Sequence, residues 1–469
     1  MKKALLVLLL LTYSGIFAEQ SKTLERSFNV KSGQKIIIED LSGAKLIVKP
    51  WEKNEVYVKL RVKMSSSDND FEKEYIRSVS LKESSDNTEL RITYDETKEK
   101  GGGWSFLGID LRINYYQKKE ITGEIYIPEK NDFQTNARYG ELNVYDLKGE
   151  VELYGRSNKL TVKNSPQLRA IDNDYGDTYI EACGGRLLLR NRSNKTNIKT
   201  FNGLLKVEAD YSNINIDGVS SNLIVDSRSG DNVISNVKGD LKINSHYSNI
   251  TLDNIGGFAD VVGRSGNIDI NKAAGVNVNG EYCNIKLKSI SGKPDRTMKI
   301  ISKSGRLDIE DLTGNLYIDN PYSEMDFRQI KGNIDLKGRS STIRGNNITG
   351  NWKSNTEYMT VKVRDLSAKS IDITNRSNPV VLDLSTTPAD VNIVNEYGGV
   401  KIDMPGGYSG EIDLSVQYGE IETNLPVKHK NLGNSAYAVG REGNGQGKIN
   451  IETRSGNIEV FESSQTSKN

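Results

Sequence analysis

Residues 205–270 run LKVEADYSNINIDGVSSNLIVDSRSGDNVISNVKGDLKINSHYSNITLDNIGGFADVVGRSGNIDI. Tyr211, Ser229, Tyr247 and Ser265 mark this stretch at intervals of 18 residues. Before each marker, apolar or small residues recur at every second position, as in Leu205, Val207 and Ala209 or in Leu223, Val225 and Ser227. That period belongs to a strand with one buried face. After the marker the phase shifts: Ile214 and Ile216 follow Tyr211, and Ile268 and Ile270 follow Ser265. A corner lies between, where Gly, Ser or Asn takes backbone angles closed to larger side chains. Eight residues past the marker a further inward position is held by Leu147, Cys183, Val219, Val237, Ile255 and Ala273. Each unit is therefore strand, corner, strand, turn.

Outward from this stretch the markers continue, from Tyr139, Ser157, Tyr175 and Ser193 on one side to Tyr282, Ser304, Tyr322, Ser340, Tyr358, Ser377 and Tyr397 on the other. Tyr418 and Ser455 carry partial copies to the C-terminus. One such unit has too few inward side chains to form a core, so stacked units must share one and pair their backbones. The expected fold is all-β, a β-solenoid (β-helix-like) of about 18-residue units. A 36-residue coil fits the same markers, with Tyr stacked on Tyr and Ser on Ser. In the 18-residue coil, which we favour, Tyr and Ser alternate up one ladder and an inward ring fills the space beside a small residue.

The rhythm divides the chain into a leader at 1–18, an N-terminal β-rich cap at 19–130, solenoid repeats at 131–424, and a C-terminal insertion loop with the last unit at 425–469. The cap contains one short helical segment, Asp68 to Val79, with Phe71, Tyr75 and Val79 on one face and a preceding serine run able to cap it. The cap also carries a glycine run leading into Trp104, Phe106 and Leu107. Aromatic residues are common anchors of interfaces, so these three are candidate partner-binding residues. The C-terminal stretch LPVKHKNLGNSAYAVGREGNGQGKINIETRSGNIEV looks like an extended loop inserted before the last unit.

Lys2 and Lys3, the apolar run from Ala4 to Leu11 and the ending Ile16-Phe17-Ala18 have the layout of a secretory signal peptide, with cleavage expected before Glu19. An apolar run this short falls far below the roughly 20 residues of a spanning helix, and no later segment of the mature chain is apolar enough to span. The expected location is exported, in the periplasm or at the cell surface. With 63 basic and 62 acidic residues and a net charge of +1, the chain lacks the basic excess of a nucleic-acid binder. Cys183 and Cys283 fall five or six coils apart at about 4.8 Å each, too far to be bridged, so both are expected free despite the oxidising compartment.

Catalytic, metal and cofactor-binding residues are each expected to be none. The two histidines, His246 and His429, have no partner at ligand spacing. Asp269, Asp308, Asp326 and Glu459 share an outward position that elsewhere holds Asn143, Thr161, Lys286 or Lys401, the mixture of a solvated face. Arg156, Arg192, Arg228, Arg264, Arg339 and Arg376 alternate with Asp174, Asp210, Glu281, Glu357 and Glu396 at one aligned position. These are expected to form ion pairs along the ladder, worth at most about 1 kcal/mol each when exposed.

The stretches FNVKSGQKIIIEDLSGAKLIVKPWEKNEVYVKL (28–60) and EIYIPEKNDFQTNARYGELNV (124–144), with RSGNIDI and YSNITL, resemble the bacterial putative adhesin family of unknown function. They are also similar to the head domains of putative autotransporter adhesins. The resemblance spans nearly the whole mature chain and implies a β-solenoid fold and an exported location. The function expected is a non-enzymatic cell-envelope scaffold or adhesin-like protein binding an envelope protein or a glycan. The alternatives are a polysaccharide-processing enzyme on the same fold, or a periplasmic regulatory or stress-related protein.

Overall fold

The computed structural model describes residues 20–66, 68–96, 104–106, 109–111, 117–293 and 295–463; the stretch 1–18, expected to be a leader, lies outside these. Among the described residues the fold is a β-solenoid of about 15 turns with roughly 18-residue spacing and a single helix. Two compact units divide the chain, residues 1–173 and 174–469.

In the second unit the register shows the shorter coil directly. Leu205 pairs in parallel with Leu223, Leu223 with Leu241 and Leu241 with Ala259, each one unit further along the chain. The strands after the corner stack likewise, Ile214 on Asn232, Asn232 on Ile250 and Ile250 on Ile268. Leu205, Val207, Ile214, Ile216 and Val219 are all fully buried, as the alternation requires. Cys183 and Cys283 are both buried and neither forms a disulfide.

Ile216 and Val219 both point inward although they stand three positions apart, and the reason is a left-handed residue in between. Gly218 has φ +83°, and Asn236, Asn254, Lys272, Asp311, Gln329, Asn347 and Asp365 repeat the conformation with φ from 51° to 59°. The ladder skips this residue: Asp217 pairs with Ser235 and Val219 with Val237. One left-handed residue per coil thus turns the second strand and returns the next side chain to the core.

The asparagines that recur two residues after the marker have a separate role. The Asn213 carboxamide oxygen accepts from Asp231 N at 3.0 Å, Asn249 from Asn267 N at 3.2 Å, and Asn284 from Arg306 N at 3.1 Å. Each satisfies a backbone donor of the next coil where the strand ladder is interrupted.

The marker tyrosines correct the inward orientation expected from the alternation. Tyr211 and Tyr247 are each 52% exposed, with φ of 54° and 55°. Ser212 and Ser248 take the inward place. The left-handed corner reverses the side-chain direction one residue earlier than strict alternation would.

In the first unit Phe133–Arg138 and Glu141–Tyr145 pair in parallel with Val151–Arg156 and Lys159–Lys163. On their other side lie Lys35–Glu39 and Ala44–Trp51, also parallel, so residues 35–51 form a coil of the same kind. Glu89–Asp95 and Gln117–Pro128 extend this stack in parallel. Antiparallel strands then end it: Ser80–Ser85 on one side, Glu55–Ser66 and Gln20–Asn29 on the other. The helix is Asn69–Ser78, with Tyr75 and Val79 buried. Its cap is Asp68, which accepts from Asp70 N and Phe71 N, rather than the serine run; Ser66 instead accepts from Asp68 N at 3.1 Å.

The C-terminal end of the second unit departs from chain order. Gly447–Ser455 and Ile458–Ser463 insert in parallel between the coil of Asp390–Tyr397 and Val400–Pro405 and the coil of Gly410–Tyr418 and Ile421–Thr423. Ser435–Glu442 and Val427–Leu432 then close on Gly410–Tyr418 as an antiparallel hairpin.

Candidate binding surface

The corners of the second unit carry a row of tyrosines, Tyr175, Tyr211, Tyr247, Tyr282, Tyr322, Tyr358, Tyr397 and Tyr418, between 42% and 56% exposed, and the first three of them are left-handed. Serine corners separate them in the ladder, as Ser265 beside Tyr282, Ser304 beside Tyr282 and Tyr322, and Ser377 beside Tyr397. The alternation survives where chain spacing fails. Tyr397 and Tyr418 are only 21 residues apart, yet the inserted C-terminal strand places Ser455 next to Tyr418 and Thr453 next to Asn395, so one serine coil again lies between the two rings.

A cation from the following coil lies over each of several rings. Arg228 stands 6.0 Å from the Tyr211 centroid, Arg264 5.7 Å from Tyr247, Lys303 5.9 Å from Tyr282, Arg376 5.8 Å from Tyr358, and Arg454 5.6 Å from Tyr397. Arg339 and Arg454 also donate to the hydroxyls of Tyr322 and Tyr397 at 3.1 and 2.9 Å. Three of the ion pairs expected along the ladder form, Arg264–Glu281 at 3.6 Å, Arg339–Glu357 at 3.1 Å and Arg376–Glu396 at 3.5 Å. Lys303 donates to Glu281 and holds its carboxyl below the usual carboxylate range.

The energetics of the row are unequal. A bulky residue held in the left-handed region costs about 1–2 kcal/mol. An exposed cation over its ring returns about 0.5–1 kcal/mol. Asn or Gly would hold the same corner at lower cost, so the rings at Tyr175, Tyr211 and Tyr247, whose φ angles are 54° to 61°, are not explained by stability of the coil.

The other sequence candidates are dispersed. Asp269 is exposed on its coil wall. Asp308 and Asp326 pair with Arg306 at 2.9 and 3.6 Å, and Glu459 with Lys401 at 2.9 Å. Among the described residues no group of three His, Cys, Asp or Glu is placed to hold a metal ion. His246 packs edge-on against Tyr247 at 6.5 Å, and His429 is exposed. Trp104–Phe106 forms a short strand antiparallel to Ile109–Leu111, with Trp104 opposite Leu111; Leu107 lies outside the described residues.

A second aromatic group, which the sequence reading missed, sits in the first unit. Trp51, Tyr57 and Tyr126 have centroids 5.7 to 6.2 Å apart beside a cleft of about 500 Å³ lined by Pro50, Pro128, Asn54 and Asn131. The signal was the pairing of alternate aromatic positions on neighbouring strands, visible only once Glu55–Ser66 and Gln117–Pro128 are known to be partners. Lys53 covers Trp51 at 4.9 Å, and Glu25, accepting from the Tyr57 hydroxyl, pushes that phenol up to about 12. These contacts tie the trio into the wall.

A family model, Toastrack DUF4097, matches residues 34–461. The chain belongs to the Toastrack family. The match takes in the intercalated coils at both ends of this Toastrack chain as well as the regular ones. No curated protein matches it. A solved structure described as a putative cell adhesion protein from Clostridium sporogenes ATCC 15579 is similar at 10% identity, covering 95% of this chain and 100% of that one, with a TM-score of 0.16. At that score the likeness carries no argument about the Toastrack surface. No helix among the described residues is long and apolar enough to cross a membrane.

Proposed function

We propose that this Toastrack protein is an exported, non-enzymatic cell-envelope scaffold or adhesin-like protein that binds protein or glycan through its coil surface or its loop insertions. The observation that carries the reading is the row of half-exposed tyrosines kept in two-coil register through irregular chain spacing. Export is supported by the leader-like Met1 to Ala18, and a non-enzymatic role by wall carboxylates such as Asp308 and Glu459 being engaged by neighbouring cations. Trp104, Phe106 and Leu107 are the proposed contact in the loop insertion. Cell fractionation with mass spectrometry tests the reading: a chain beginning at Glu19 that co-sediments with envelope fractions is expected. A cytoplasmic chain retaining Met1 sinks the export half. Unchanged co-sedimentation after joint alanine substitution of Trp104, Phe106 and Leu107 removes that loop from the binding surface.

A further inference from the structure

We infer that the tyrosine row of the second unit is a binding track for a neutral, extended β-1,4-linked glycan. This rests on the envelope-binding role proposed above and names its ligand class.

The spacing is the first reason. Successive rings stand two coils apart, roughly 9.6 Å at the usual strand separation, which is close to one disaccharide of an extended β-1,4-linked chain. A periodic row matches a periodic polymer, so each ring meets the same sugar face, whereas a folded protein surface has no such repeat.

Chemistry is the second. A sugar ring presents C–H groups on its face and hydroxyls at its rim. The tyrosines offer the aromatic face, and the residues beside them offer both kinds of hydrogen-bonding partner: Arg264, Lys303, Arg376 and Arg454 as donors, Glu281, Glu357 and Glu396 as acceptors. The cations lie 5.6 to 6.0 Å from the ring centroids, at the outer limit of such contacts, and the rings stay about half exposed. Because Arg and Glu are paired along the row, it carries no strong net charge and suits a neutral glycan better than a polyanion.

Continuity is the third. The C-terminal strand inserts between the coils of Tyr397 and Tyr418 and brings Arg454 over Tyr397, as the regular serine coils bring Arg228 over Tyr211 and Arg264 over Tyr247. The intercalation therefore extends the row by one full period.

The test uses the full mature chain and calorimetric titration with chitohexaose and cellohexaose, their disaccharides, and α-linked maltohexaose as control. At least one β-linked hexamer is expected to bind, far more tightly than its disaccharide and with little dependence on salt. Joint substitution Tyr247→Asn, Tyr282→Asn and Tyr322→Asn is expected to weaken that binding by roughly tenfold or more, three aromatic contacts being lost, at unchanged melting temperature. Asn is chosen because it removes the ring, keeps a polar side chain at an exposed site and tolerates the left-handed backbone at Tyr247. No binding, equal binding of maltohexaose, a steep salt dependence or an unaffected triple variant would each overturn the inference. Envelope co-sedimentation, measured on the same triple variant, separates the two claims. If it persists and is abolished by protease treatment of the envelope, the partner is a protein and the glycan track is wrong while the envelope role stands.

Discussion

At the N-terminal end, residues 35–51 pair in parallel on both sides, between Phe133–Tyr145 and the strands Glu89–Asp95 and Gln117–Pro128; at the C-terminal end, residues 447–463 do the same between 390–405 and 410–423. Beyond each, antiparallel strands finish the stack. A parallel coil always leaves a row of unpaired backbone groups facing onward, and reversing strand direction is how both ends stop the repeat. The two ends differ in how the terminal strands are protected. In the first unit the helix lies against the terminal strands, Lys22 donates to Val79 O at 2.8 Å and Arg26 to Leu81 O at 2.9 Å, so long side chains lace the end shut. In the second unit the last strand, Val427–Leu432, is exposed and carries Lys428, His429 and Lys430, with Leu432, Tyr437 and Val439 open to solvent. One end is covered; the other is guarded by charge.

The largest effect is expected from ending the chain after Gln446. Without Gly447–Ser455 and Ile458–Ser463, the coils at 390–405 and 410–423 lose their shared neighbour, so slow amide exchange across 390–423 should disappear. Retained protection there would show that the intercalated coil does not join them. Next, Leu46→Ala and Ile451→Ala probe the equivalent coils at the two ends. Both side chains are fully buried, so each should cost about 2–5 kcal/mol in denaturant unfolding. A near-zero value at one end would break the equivalence.

Asp68→Ala should cost about 0.5–2 kcal/mol by removing the helix cap, seen as faster exchange of the helix amides and with no change at the C-terminal end. Acid should loosen the ladders between the ends. Glu208 is held low by Lys206 and Arg190, and Glu281 and Glu324 by Lys303 and Arg344. With folded pKa values below the ordinary 4.5, these groups contribute stability above that pH and lose it as the pH falls through their folded values. The melting temperature should therefore drop as the pH falls below 4.5; no drop would mean that the ladder pairs are energetically idle. Glu442 in the C-terminal hairpin has the opposite sign, because burial and then Glu462 push its carboxyl up and its Oε2 is buried without a partner. Its protonated form favours folding, a contribution lost as the pH rises. Glu442→Gln should raise neutral-pH stability slightly, by about 0.5 kcal/mol or less.

Much of the coil was legible in the order of residues. Leu205, Val207, Ile214, Ile216 and Val219 could be placed inward because a strand exposes alternate side chains and only a buried face repeats so strictly. The ion pairs beside the corners were legible because aligned positions in stacked coils are neighbours. Tyr211 was misplaced because the alternation holds only while the backbone stays extended, and a single left-handed φ of 54° reverses it. A tyrosine is not a residue from which that conformation is read. For the same reason the left-handed bend of the second strand, at Asn236, Asn254, Lys272 and Gln329, went unread, since lysine and glutamine at the aligned position hide what asparagine alone would suggest.

The period, the core residues and the alternation of Tyr and Ser were determined by the sequence alone, because each depends on contacts between a residue and its counterpart one unit away. Which coils are neighbours at the ends was decided only in three dimensions. Ile36 meets Phe133 and Ile449 meets Val391 across long stretches of intervening chain, and nothing local distinguishes such a coil from the next one in order. An unpaired parallel edge accepts any strand of matching register, so the partner is settled by which arrangement leaves no core face and no backbone row uncovered.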